Sequence, residues 1–168
     1  MKKTITLVFI FCLAIANSSL AQYTTPTHEI TLFGFQTAKG KQVTVNKAND
    51  DSYLVYRFGD SQKTDFEFPQ VKDSTSFQKF TYSSWIRGSG TSKSALDLKY
   101  LTFENEGYKY IIYEIYFEEG NTHSIGVRVL NLATQKQTDI RGILKTQKGS
   151  LYDLNAEDRI PTSNAAYD

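Results

Sequence analysis

Cysteine is nearly missing from this chain: the only one, Cys12, lies inside an N-terminal apolar run. A domain built from the remainder has no disulfides, thiolate metal ligands or cysteine nucleophile, and must be held by its core alone. Histidine is confined to His28 and His123, far apart and without acidic or histidine partners at ligand spacing, so the three or four converging ligands of a zinc site are not in view. No cofactor is expected. Charge of one sign is also lacking. Nineteen basic residues face eighteen acidic ones, and losing Lys2 and Lys3 with a leader takes the basic count to 17. A near-neutral domain lacks the clustered positive charge that nucleic acid or an anionic membrane requires. The N-terminal apolar run, Ile5 to Ala16, is too short to span a bilayer as a stable helix, and no helical period is sustained after it, so stable membrane insertion is not expected.

The leader itself is legible. Lys2 and Lys3 precede the apolar stretch Ile5 to Ala16, and Ser19-Leu20-Ala21 places small residues where a signal peptidase reads them. Cleavage after Ala21 removes 21 of 168 residues and leaves 147, enough for one domain with a real core in the periplasm or outside the cell. Residues 22–28 read as a polar leader into the fold, 29–154 as one all-β domain, and 155–168, rich in Ala, Asn, Asp and Ser, as a disordered tail.

What the chain has in abundance is aromatic and β-branched residues broken by short turns. The organising stretch is Leu96 to Leu132. Three strand-like runs, Leu96–Phe103, Tyr108–Phe117 and Thr122–Leu132, are divided by turns containing Gly107 and Gly120, which makes a β-meander. Upstream, Glu29–Thr37 and Gln42–Asn46 form a first hairpin, followed by strands at Tyr53–Phe58 and Thr64–Phe68 and a run from Phe77 to Arg87. Downstream come Gln137–Arg141 and a last hairpin, Ile143–Thr146 with Ser150–Leu154, around Lys148-Gly149. About nine or ten short strands in meander order predict a single-domain antiparallel β-barrel or β-sandwich.

Alternation within Tyr108–Phe117 separates two sets. Ile111, Tyr113, Ile115 and Phe117 include no charged residue and are expected to face the core, matched by Ile125, Val127 and Val129 on the next strand. Tyr108, Tyr110, Ile112, Glu114 and Tyr116 fall on the other side. With Tyr100 on the preceding strand, the tyrosines Tyr108, Tyr110 and Tyr116 are then candidates for a ligand-binding face, since tyrosine offers a wide, stiff surface with a polar tip.

The glycine-rich connection at Arg87 to Ser94 has the wrong spacing for a phosphate loop, because Gly90 and Lys93 are separated and a strand follows. It reads instead either as a plain flexible connection or as an exposed recognition loop between two strands, with Arg87, Gly88, Ser89, Gly90 and Lys93 as candidate partner contacts. Gly88-Ser89-Gly90 is too compressed for a nucleophile elbow. Neither Asn49-Asp50-Asp51 nor Glu118-Glu119-Gly120-Asn121 has the alternating oxygen ligands of a calcium loop. Asp65, Glu67, Asp97, Glu104 and Glu114 are the carboxylates from which a hydrolase would have to be built.

The expected function is therefore an exported, non-enzymatic binding protein that captures or inhibits a protein partner of the cell envelope, for example a cell-wall hydrolase or toxin. The alternatives are a carbohydrate or small-ligand module using the tyrosine face or a barrel mouth, and a hydrolase with a carboxylate site. Size, export, an all-β frame and a protruding glycine-rich loop resemble the small bacterial lysozyme inhibitors in architecture. Their Ser-Gly-x-x-Tyr signature is not reproduced, since Thr91, Ser92 and Lys93 follow Ser89-Gly90, and their cysteines are missing, so no site residues carry over.

Overall fold

The computed structural model describes residues 26–88 and 94–163. The expected signal peptide, most of the polar leader and the central loop residues Ser89, Gly90 and Lys93 lie outside the described residues.

Ten strands form two five-stranded antiparallel sheets, packed as an open sandwich rather than a closed barrel. The first sheet has the order β10-β1-β2-β3-β4, with β1 Glu29–Gln36, β2 Gln42–Ala48, β3 Leu54–Gly59, β4 Thr64–Phe68 and the two-residue β10 Lys148–Gly149. The second has the order β5-β6-β7-β8-β9, with β5 Thr81–Arg87, β6 Leu96–Asn105, β7 Tyr108–Phe117, β8 Thr122–Asn131 and β9 Gln137–Arg141. The meander follows from local chemistry. Glu106 and Gly107, at φ 49° and 79°, make the two-residue turn whose twist matches a β-hairpin and joins β6 to β7. The sheets meet at one corner, where Thr37 bridges Gly142 and the Ile143 amide donates to the Gln36 carbonyl at 2.7 Å.

The core lies between the sheets. Phe33, Phe35, Val43, Val45, Leu54 and Tyr56 of the first sheet face Tyr82, Leu101, Phe103, Ile112, Ile125 and Val127 of the second. Each such side chain contributes roughly 1.5–3 kcal/mol by leaving water. Phe68, Phe103 and Tyr110 stack in series, with centroids 4.2 Å and 4.7 Å apart.

The structure corrects the sequence reading at three places. Residues 77–79 are not strand but belong to the 3-10 turn Ser74–Lys79, launched by the Asp73 side chain accepting from the Thr75 amide. The expected last hairpin is a pair of 3-10 turns, Leu144–Thr146 and Leu151–Ala156, and only Lys148–Gly149 pairs with β1. That pairing needs glycine, because a Cβ at Gly149 (φ 61°) would sit 2.0 Å from the Leu32 carbonyl oxygen, at the register shift of β1. The segment 155–163, expected to be loose, is docked: Ile160 is in the core, Arg159 lies 3.6 Å over the Phe77 ring, and Thr162 bridges Tyr82.

The faces of β7 are also exchanged. Tyr110 pairs with Val129 and Ile112 with Val127, so Tyr110 and Ile112 share the core side with the correctly read set on β8. Ile111, Tyr113, Ile115 and Phe117 form the outer side. Both faces of this strand are apolar, and the one charge that marked the inner side, Glu114, is covered by the chain itself.

Candidate functional site

Pairing register brings two connections to one end of the second sheet. Arg87 pairs with Leu96, Leu96 with Phe117, and Phe117 with Thr122, so the β5–β6 loop and the β7–β8 turn leave side by side. They are tied together. The Glu118 amide donates to the Ala95 carbonyl at 3.0 Å, and the Ala95 amide donates to Glu118 Oε2 at 2.6 Å. At the loop's base Arg87 Nε donates to the Ser94 carbonyl at 3.1 Å, and the guanidinium lies 5.7 Å from the centre of the Trp85 ring. Gly88 is exposed.

On the inner face of this end two cross-strand rows carry the polar chemistry: Ile86, Asp97, Tyr116 and His123, then Ser84, Lys99, Glu114 and Ile125. Lys99 is 6% exposed, and its ammonium rests against the Asp97 carboxylate and 5.8 Å from the Tyr152 ring. Among the described residues Asp97 Oδ1 is buried and accepts no hydrogen bond. Glu114 accepts three hydrogen bonds. Gln147 Nε2 donates to its Oε1, and Ser150 Oγ and the Leu151 amide donate to its Oε2, each at 2.8 Å. This carboxylate therefore anchors the turn Leu151–Ala156 over the sheet. His123 Nε2 lies 3.6 Å from Glu114 Oε1, and its ring meets Tyr116 edge-on at 6.4 Å.

Three large apolar side chains stand in solvent on this face, and a fourth, Trp85, which pairs with Leu98, stands on the outer face beside Arg87. Trp85 is 41% exposed, Ile86 60%, Tyr116 38% and Tyr152 55%. They come from β5, β7 and the C-terminal turn. The outer side of the same end continues the surface with Leu96, Leu98, Ile115 and Phe117, all half-buried. Exposed apolar groups scattered singly are ordinary, whereas Trp, Tyr and Ile exposed at one sheet end, with Arg87 beside the Trp, have the composition of a docking surface.

The sequence candidates divide accordingly. Arg87, Gly88 and Tyr116 belong to this end. The four tyrosines do not make one face. Tyr110 is part of the core stack, and Tyr100 is almost buried on the outer side of β6, opposite Tyr113. Tyr108 is exposed at the far end of β7, roughly 27 Å from Tyr116 at the usual rise of an extended strand. Trp85 and Ile86 were not legible as exposed, since large apolar neighbours on opposite faces of one strand can both be covered, as Ile112 and Tyr113 are. Nor was Tyr152, because it reaches the site only through the Glu114 anchor. Among the described residues no three His, Cys, Asp or Glu side chains converge as metal ligands, and no helix is long and apolar enough to cross a membrane. Comparison with protein-family models, curated proteins and solved structures finds no match for this chain.

Proposed function

We propose that this is an extracytoplasmic, non-enzymatic binding protein that captures a protein partner with the loop end of its second sheet. The observation that carries the reading is the exposure, at one end of the second sheet, of Ile86, Tyr116 and Tyr152 on the inner face and of Trp85 beside Arg87 on the outer face. Rigid aromatic anchors lose little conformational entropy on docking, and Trp, Tyr and Arg supply most of the binding energy in protein interfaces. A Glu114 that holds three hydrogen bonds to the C-terminal segment and a Lys99 paired with Asp97 support a scaffold role for these charges. The N-terminal leader supports export, and the partner class expected from it is a hydrolase or toxin of the cell envelope. A glycan is the second reading. It is favoured by Tyr116 and Tyr152 flanking the unpartnered Asp97 oxygen, the mix of apolar plane and polar atom that a sugar uses.

The test is retention from a bacterial envelope extract on the immobilised mature chain, Gln22 to Asp168, beside the Trp85→Ala, Tyr116→Ala and Arg87→Ala variants, with folding checked by circular dichroism. One enriched protein should lose about thirtyfold in affinity with Trp85→Ala, the loss of a hot spot near 2 kcal/mol. Glycan retention without protein, weakened by Tyr116→Ala, would support the second reading. Retention unchanged in all three variants would remove this end as the site.

A further inference from the structure

The two sheets touch at the Thr37–Gly142 corner and diverge from it. Between β9 and the tip of the β1–β2 hairpin the divergence leaves a cleft of about 600 Å3. Its floor is made by Phe58 and Ile140. Ile140 faces inward because it pairs with Val127, and both floor residues pack on the core while remaining partly open to solvent. Ala38 and Lys39 form one wall, and Arg141 stands at the other.

The charges around the cleft are not equivalent. Lys41 Nζ is held by Asp60 at 2.8 Å and Asp65 at 2.6 Å, so it is already neutralised. Asp139 and Arg141, paired with Arg128 and Gly126, stand on the same side of β9 and both line the edge of the cleft; the Asp139 carboxylate accepts from Tyr113 OH at 3.0 Å and from Arg141 Nε at 3.2 Å. That contact uses one nitrogen of Arg141, whose side chain is 86% exposed. Lys39 makes no ion pair among the described residues and is exposed. The result is an apolar floor with Lys39 and Arg141 at the rim.

We propose that this cleft binds a single-chain carboxylate amphiphile, a free fatty acid, with its chain on Phe58 and Ile140 and its head between Lys39 and Arg141. The volume falls inside the range of sites for one small ligand, which are lined by apolar groups with a few polar ones that fix orientation. A guanidinium matches a carboxylate in shape as well as charge. A sugar would find few inward-pointing donors or acceptors on this floor. A bilayer would find a recess instead of a protruding apolar face, and only two cations to hold its surface. None of these residues belongs to the loop end, so the site stands or falls independently of partner capture.

The experiment uses the intact mature chain and displacement of the fluorescent polyene cis-parinarate. Dodecanoate should displace it at micromolar concentration, dodecanol should be about tenfold weaker, and dodecyltrimethylammonium should not compete. Lys39→Glu and Arg141→Glu, both in solvent, should each weaken dodecanoate about tenfold and leave dodecanol unchanged. Ala38→Trp should fill the cleft from the exposed turn and abolish displacement without touching the core. The proposal is overturned by failure of dodecanoate to displace, by displacement that Ala38→Trp leaves intact, by equal affinity for dodecanoate and dodecanol, or by sedimentation with anionic vesicles in place of uptake of the free chain.

Discussion

Arg57→Met should cost this domain about 3–5 kcal/mol, and the reason lies on the outer face of the first sheet. Glu29 opens β1, and its side chain is 1% exposed; Arg57 lies on β3 with a side chain 7% exposed. The two form a bidentate pair, Nη1 to Oε2 at 2.5 Å and Nη2 to Oε1 at 2.8 Å, and Tyr53 OH donates to Oε1 at 2.6 Å. Arg57 Nε also donates to Glu67 at 2.6 Å, and Lys72 completes the chain at 2.8 Å. Burial by itself would push the Glu29 carboxyl up, but the hydrogen bonds from Arg57 and Tyr53 and the guanidinium's charge outweigh it and hold the group below its ordinary value of 4.5. Removing Arg57 leaves the buried carboxylate with Tyr53 and, 3.8 Å away, the exposed His28, and breaking a buried pair from one side costs about 3–5 kcal/mol. With a urea m-value of about 2 kcal/mol/M, the midpoint should fall by roughly 2 M. Glu29→Met with Arg57→Met removes both charges together and should recover most of the loss, because a well-packed apolar replacement of a buried pair is close to neutral. The pH dependence follows in sign. Between the unfolded carboxyl's 4.5 and the lower native value the unfolded chain binds more protons, so the stabilisation is complete above that window and is lost as pH falls through it. A single-mutant cost below about 1 kcal/mol, or a double mutant as unstable as the sum of the singles, would refute the argument.

Three further outcomes are expected. Glu114→Ala removes the acceptor of three hydrogen bonds and should destabilise the domain by about 3 kcal/mol, with faster hydrogen exchange at Leu151 and Leu154; protection unchanged there would mean that the turn is held by packing alone. Gly126→Ala would place a Cβ 2.4 Å from the Tyr113 hydroxyl and 2.8 Å from the Ile140 carbonyl oxygen, so a loss of about 1–3 kcal/mol in urea unfolding is expected, and an unchanged midpoint would contradict the packing. Burial, reinforced by Glu29 and Asp139 respectively, pushes the Tyr53 and Tyr113 phenols up to about 12. The unfolded chain releases these protons first, so stability should decline between pH 10 and 12, and Asp139→Asn should bring one late phenolate forward in a spectrophotometric titration.

Most strand positions, the meander and the all-β class were legible in the sequence because each rests on local chemistry: β-branched and aromatic runs, and glycines where a hairpin turn requires positive φ, as at Gly107. The inner set on β8 was legible for the same reason, since Arg128 and Ser124 mark its outer side. On β7 alternation pointed the wrong way. Its outer side is as apolar as its inner one, and Glu114 looked solvated because its partners, Gln147, Ser150 and Leu151, lie more than thirty residues away. A polar residue reads as outward only where water is its sole available partner, and whether the chain returns to replace that water is decided in three dimensions. The same return of the C-terminal segment brings Tyr152 to Lys99 and Ile160 into the core, turning an apparently loose tail into part of the domain. The sequence by itself determined the strands from β1 to β9 to within a few residues and where they turn; only the packing of the two sheets, and the long-range hydrogen bonds that hold the C-terminal turn over β7, decided which aromatics are core and which remain in solvent, and made 3-10 turns of the expected last hairpin.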